Sequence, residues 1–166
     1  MSDLTCFKAY DIRGRLGINL DENIAYRIGA AFAVALEAKT VILGRDVRAS
    51  SKDLAKSVAQ GLIDQGCDVL DLGLSGTEEM YFATTHFGAD GGICITASHN
   101  PMDYNGMKMV RAGSAPLDAA SGLARIKELA EANTFEKKCA PGKIHDIAEK
   151  ARAAYVDRIC QFVDIS

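Results

Sequence analysis

The chain has 166 residues, 48% hydrophobic and 25% charged, with a formal net charge of −3. That is the length of one ordinary domain and the composition of a soluble globular one. The acidic balance argues against general nucleic-acid binding, which needs a basic footprint, and no apolar run approaches the roughly 20 residues that span a bilayer.

The opening residues, Met1 to Gly14, lack the basic start and long apolar stretch of a secretory leader. A cytoplasmic location with no membrane partner is therefore expected. Five cysteines (Cys6, Cys67, Cys94, Cys139 and Cys160) stand singly, without a Cys-x-x-Cys pair or a Cys/His cluster. Isolated thiols suit a reducing compartment, and neither a zinc site nor a redox motif is indicated.

After a short N-terminal segment, Asp21 precedes Ile24, Ile28, Phe32, Ala35 and Leu36, a helical stripe with Asp21 as its N-cap. Thr40–Leu43 is a β-branched run ending at Gly44 and reads as a buried strand. Ser50 or Ser51 caps a second helix, which buries Leu54, Val58 and Leu62 and ends at Gly66. Asp68–Leu72 is the next strand. A helix follows over about residues 78–87, with Thr77 as cap and Glu78 and Glu79 complementing its dipole.

Gly91–Ile95 and Gly106–Arg111 are two further strands. No crossover helix separates them, so an adjacent antiparallel pair is expected. Asp118–Asn133 has helical spacing at Leu123, Ile126, Leu129 and Ala130, and Phe135–Gly142 reads as a surface loop. A last amphipathic helix uses Ile147, Ala151, Tyr155, Ile159 and Phe162. Strands alternating with crossover helices give an α/β fold: a three-layer αβα arrangement around a mixed, mainly parallel sheet. Without repeats or long linkers, residues 1–166 read as a single domain.

Ligands in such folds sit at the carboxyl ends of the strands. Three strings fall there: Gly44-Arg45-Asp46-Val47-Arg48, Leu74-Ser75-Gly76-Thr77, and Thr96-Ala97-Ser98-His99-Asn100-Pro101. In the last, small residues before Ser98 permit a sharp turn and Pro101 fixes the exit. A serine hydroxyl needs a base, a metal or a donated phosphate before it reacts. Taken alone, Ser98 reads as a turn or cap residue, His99 either reaches it or points away, and Arg13 and Lys108 have the default reading of solvated surface charge. An Arg–Asp pair within residues 45–48 is expected to brace the loop.

Thr96–Pro101, followed by Tyr104-Asn105-Gly106-Met107-Lys108, resembles the active-site signature of the α-D-phosphohexomutase superfamily. That superfamily includes phosphomannomutases, phosphoglucomutases and phosphoglucosamine mutases. Tyr10-Asp11-Ile12-Arg13-Gly14 is similar to its N-terminal motif, and Gly44-Arg45-Asp46 with Arg48 and Ser50 to a third block. The three stand in the family's order, and the likeness runs from Phe7 to the chain's end.

The resemblance implies the fold of phosphohexomutase domain I and a phosphorylated Ser98. In such enzymes that group passes to a hexose phosphate, and the bisphosphorylated sugar returns its other phosphate. The net effect moves phosphate between O1 and O6. Mg²⁺ at the serine phosphate and a hexose 1,6-bisphosphate activator are implied as well. Arg13 and Lys108 correspond to residues of charge stabilisation and proton transfer, and Tyr10, His99 and Asn100 to supporting residues.

Gly76-Thr77-Glu78-Glu79-Met80 resembles the bacterial phosphomannomutase branch, which serves nucleotide-sugar biosynthesis. Phosphoglucomutase or dual specificity is the neighbouring reading, and a non-catalytic sugar-phosphate-binding module is the reading from another class. A serine phosphatase would need metal ligands, and no Asp-x-Asp-x-Asp run occurs. Full-length members have about four domains. The chain is thus expected to be a fragment that is inactive alone, binds Mg²⁺ weakly, and presents a face to the missing mutase domains.

Overall fold

The computed structural model describes residues 3–163. The chain runs β1 (Ile12–Arg15), α1 (Glu22–Ala35), β2 (Thr40–Arg45), α2 (Ser51–Asp64), β3 (Asp68–Leu74), α3 (Thr77–His86) and β4 (Gly91–Ile95). It continues through β5 (Tyr104–Arg111), β6 (Ala115–Pro116), α4 (Ala124–Ala132), β7 (Ile144–Asp146) and α5 (Ala148–Cys160). The sheet order is β1-β5-β4-β2-β3-β7, with β6 beside β5. The pairs β2–β3, β2–β4 and β3–β7 are parallel, whereas β4–β5, β1–β5 and β5–β6 are antiparallel. The sheet is mixed, as the missing crossover between β4 and β5 requires.

Alternation along the strands divides the core. Val41, Leu43, Ile93 and Ile95 face one way, against Ile28 and Phe32 of α1, Leu54, Val58 and Leu62 of α2, and Ile126 of α4. Ile42, Leu72, Cys94 and Val110 face the other, against Met80 and Ala83 of α3 and Ala151 of α5. Phe32 is fully buried, which contributes on the order of 1.5–3 kcal/mol relative to an exposed side chain. Two glycines let α1 and α2 approach closely. A β-carbon on Gly29 would lie 2.3 Å from the Val58 carbonyl oxygen, and one on Gly61 2.2 Å from that of Tyr26. Among the described residues no helix is long and apolar enough to cross a membrane.

Asp21 caps α1 as its position implies, its carboxylate accepting from the Ile24 N–H at 2.7 Å. Gly66 has φ +75° and ends α2. Three expectations are corrected. Ser50 occupies the N-cap of α2 in a helical conformation and its hydroxyl makes no cap bond. The Ser51 hydroxyl instead donates to Asp46. Gly76, not Thr77, is the N-cap of α3, and its N–H donates to the Glu79 carboxylate at 2.9 Å. The helix expected from Asp118 starts only at Ala124, behind a π-turn over Ala119–Leu123 in which Gly122 has φ +137°. Strands β1, β6 and β7, unread in the sequence, extend the sheet.

Asp64 fastens α2 to its surroundings. Its carboxylate accepts from the Tyr26 hydroxyl, the Gln60 amide and the Lys137 ammonium, each at 2.8 Å. Burial pushes its carboxyl up, but the hydrogen bonds from Lys137, Tyr26 and Gln60 outweigh it and hold the group below the ordinary carboxylate range. A depressed folded pKa stabilises at pH above the unfolded value of about 3.9 and is lost as pH falls through the folded one. Asp64→Asn is therefore expected to cost about 1–3 kcal/mol near neutrality. The deficit should shrink once the wild-type carboxyl protonates. Urea unfolding at pH 7 and pH 3 checks this, and an equal deficit at both would contradict it.

Candidate active site

Strand β4 ends at Ile95, and the chain turns over residues 96–103 before returning as β5. Every residue of β4 is buried, so this loop rises from a rigid base. Asn100 closes it from within: its N–H and its side-chain amide donate to the Ala97 carbonyl at 3.0 and 3.1 Å. Ser98 has φ +52°, the left-handed region that costs a non-glycine residue on the order of 1–3 kcal/mol. That conformation persists only where the surroundings over-determine it.

Arg48 supplies much of that constraint. One Nη donates to the carbonyls of Pro101 (2.8 Å) and Tyr104 (3.1 Å), the other to those of Ser98 (2.9 Å) and Asn100 (2.6 Å). Its Nε lies 3.6 Å from Asp46, whose other oxygen accepts from the Arg48 N–H and the Ser51 hydroxyl. The expected brace is thus made by Asp46 and Arg48. Arg45 takes no part. It lines a separate depression beside Lys52, Lys56 and Asp71, because successive strand residues point to opposite faces.

A cleft of about 270 Å³ opens beside the loop, lined among others by Ser98, Arg13, Lys108, Thr96, Ser75 and Glu78. The Ser98 hydroxyl lies 3.2 Å from His99 Nδ1, so these neighbours do reach each other. Arg13, on β1, donates to the Ala97 carbonyl at 2.9 Å and to the Asp11 carboxylate at 2.9 Å. Lys108, on β5, stands 3.4 Å from the same Asp11 oxygen. The structure thus gathers Ser98, His99, Arg13 and Lys108, with Asn100 inside the loop. Tyr10 is 69% exposed and lies outside the cleft lining.

Residues that the sequence did not single out are Asp11 and Ser75. Asp11 adjoins Arg13 in its motif, but its contact with Lys108 depends on strand pairing. The Ser75 hydroxyl and Arg13 Nε are buried without a hydrogen-bond partner among the described residues. A second potential nucleophile, the Cys94 thiol, also lines the cleft. Burial first, then the charges of Asp46, Glu78 and Glu79, push it up to about 12. It stays protonated at neutral pH and is inert, which leaves Ser98 as an exposed hydroxyl in one cleft with two cations.

A profile of the family described as phosphoglucomutase/phosphomannomutase, alpha/beta/alpha domain I, matches residues 5–137. A phosphomannomutase of Klebsiella pneumoniae is 58% identical over 135 residues, covering 81% of this chain and 86% of the relative. A phosphomannomutase of Salmonella typhimurium is 54% identical over 168 residues, covering 100% of this chain and 36% of the relative. The chain thus spans about a third of the length of that longer relative. Among solved structures, a phosphoglucomutase/phosphomannomutase family protein from Burkholderia thailandensis superposes with a TM-score of 0.82 at 35% identity, covering 96% of this chain and 36% of its own. The match exceeds half the chain and agrees with the observed topology, so the chain belongs to the phosphoglucomutase/phosphomannomutase family and contains its αβα domain I.

Proposed function

We propose that Ser98 is the phosphoryl carrier of a hexose-phosphate mutase, acting within the complete polypeptide to move phosphate between O1 and O6 of mannose phosphate. The observation that carries this reading is the position of the Ser98 hydroxyl. It sits on a strained, braced turn, 3.2 Å from an imidazole nitrogen and in one cleft with Arg13 and Lys108. Catalysis of phosphoryl transfer is mainly positioning and charge stabilisation, and this arrangement supplies both.

In the first half-reaction the bond between serine Oγ and phosphorus breaks as a sugar hydroxyl oxygen bonds to phosphorus. The proton of the sugar hydroxyl passes to the departing serine Oγ, with His99 Nδ1, 3.2 Å from that oxygen, as the group that relays it. The bisphosphorylated sugar then turns, and the same events run in reverse with its other phosphate. Arg13 and Lys108 offset the charge of the travelling group.

Mg²⁺ belongs to this proposal as the partner of the Ser98 phosphate, where it would offset negative charge. The residues of this chain do not complete a site for it. Among the described residues no three His, Cys, Asp or Glu stand together as ligands, and Asp46 in the cleft is engaged by Arg48 and Ser51. A hexose 1,6-bisphosphate as activator and further mutase domains as partners complete the reading. A cytoplasmic location is supported by five free thiols.

The test is incubation of the complete polypeptide with glucose 1,6-bisphosphate, followed by mass spectrometry of the Ser98 peptide and assays on mannose, glucose and glucosamine 1-phosphates. One phosphoryl group on Ser98 and fastest turnover of mannose 1-phosphate are expected. Turnover without phosphate on Ser98 would overturn the mechanism. Faster glucose turnover would move the assignment to the phosphoglucomutase branch, which the family's description also names.

A further inference from the structure

Lys108 carries a long, flexible side chain, and holding it still costs rotamer entropy. Its ion pair with Asp11, at 3.4 Å, is the one charged contact it makes among the described residues. The same Asp11 oxygen accepts from Arg13 Nη2 at 2.9 Å, and Arg13 Nη1 donates to the Ala97 carbonyl at 2.9 Å. A chain of contacts therefore runs from the residue preceding Ser98, through Arg13 and Asp11, to the Lys108 ammonium.

Strand pairing builds this chain. Ile12 lies opposite Met107 and Arg13 opposite Gly106 in the β1–β5 ladder, a register that, continued by one residue, sets Asp11 directly opposite Lys108. The side chains of Asp11 and Arg13 are each 16% exposed and that of Lys108 37%, so solvent screens the inner pair less than a surface pair. Asp11 itself is absent from the cleft lining, whereas Arg13 and Lys108 belong to it. Asp11 thus acts on the site through them. Without its charge two cations that now share one Asp11 oxygen, at 2.9 and 3.4 Å, would stand side by side unpaired, and the flexible one would swing out.

We propose that Asp11 is a positioning residue for phosphoryl transfer, its carboxylate fixing the Lys108 ammonium relative to the Ser98 loop by way of Arg13. This inference rests on the phosphoserine reading above.

Steady-state kinetics on the complete polypeptide provide the test. Asp11→Asn is expected to lower kcat about 100-fold, the scale of a displacement of about 1 Å in a reacting group, with KM unchanged within about threefold. Asp11→Glu, which keeps the charge on a longer arm, should recover about tenfold of that loss and leave kcat several-fold below the wild-type value. In a Lys108→Met background, Asp11→Asn should have little further effect, because two residues acting as one unit are non-additive. A purely structural role would cost the same factor in both backgrounds, and that result would overturn the inference.

Retention of turnover by Asp11→Asn, with turnover lost in Ser98→Ala, would overturn this inference alone. Full turnover in Ser98→Ala would remove the phosphoserine reading and the role of Asp11 with it. Should Asp11→Asn not fold, Asp11→Glu carries the test. Full wild-type turnover there would overturn the inference, and a drop of several-fold at unchanged KM would support it.

Discussion

Ser98→Gly is expected to abolish phosphoryl transfer, by at least about 1,000-fold, while folding about as well as the parent chain. The activity loss follows from removing the oxygen that bears the phosphoryl group, since no neighbour replaces a lost nucleophile. Cys94, which shares the cleft, keeps its proton. The stability expectation follows from the backbone. Ser98 is held at φ +52°, a region that glycine enters without steric cost. Relief of that strain offsets the roughly 0.5–1 kcal/mol that glycine's flexible unfolded state takes away. Ser98→Ala removes the same oxygen and keeps the strain. The glycine variant should therefore be more stable than the alanine variant by about 1 kcal/mol, with both inactive. Urea unfolding of the two side by side, with mass spectrometry of the Ser98 peptide, checks both halves. An alanine variant more stable than the glycine one would mean that the turn is not strained.

This separation of activity from stability explains why a serine stands where glycine fits better. Among the non-glycine residues at positive φ, Ser98 is the one that lines the cleft, the others being Glu37, Ser114 and Asn133. Asn133 ends α4, an ordinary left-handed cap. At Ser98 the same conformation places a hydroxyl beside His99 and in one cleft with the two cations.

Much of this was legible in the chain because local signals and tertiary structure agree. β2 and β4 are apolar runs closed by polar residues, and Asp21 sits one residue before α1. β1 was not legible. Its sequence, Ile12-Arg13-Gly14-Arg15, carries one apolar side chain and becomes a strand by pairing with β5. β7 is exposed along its length and is an edge strand beside β3, so it shows no alternation. At α3, Thr77 has the better capping side chain, yet Gly76 occupies the cap and Glu79 reaches back to its N–H. In the site, the motifs carry Ser98, His99, Arg13 and Lys108. Asp11 gains its partner Lys108 only once β1 lies against β5. Local pattern reads residues whose role is set by their own loop, and long-range pairing sets the rest.

Arg48→Lys is expected to lower turnover of the complete polypeptide about 100-fold and to destabilise the fold by about 1–3 kcal/mol. The planar guanidinium donates to three carbonyls of the loop and to that of Tyr104 at the start of β5. An ammonium has three donors and no fixed fork, so it cannot reproduce that pattern. Water can replace some of the lost partners at this partly exposed site, which keeps the stability cost moderate, but water does not hold Ser98 in a left-handed turn. Loss of the brace should therefore appear first as faster amide exchange over residues 97–104, with the strands beneath unaffected. Adding Ser98→Gly to Arg48→Lys should restore part of that protection, because glycine lowers the cost of the closed turn, without restoring any activity. Rescue of exchange by glycine would show that Arg48 works against the strain at Ser98. Equal exchange in the single and double variants would mean that it supports the loop in some other way, and that the strain is maintained by the β4 and β5 strands alone.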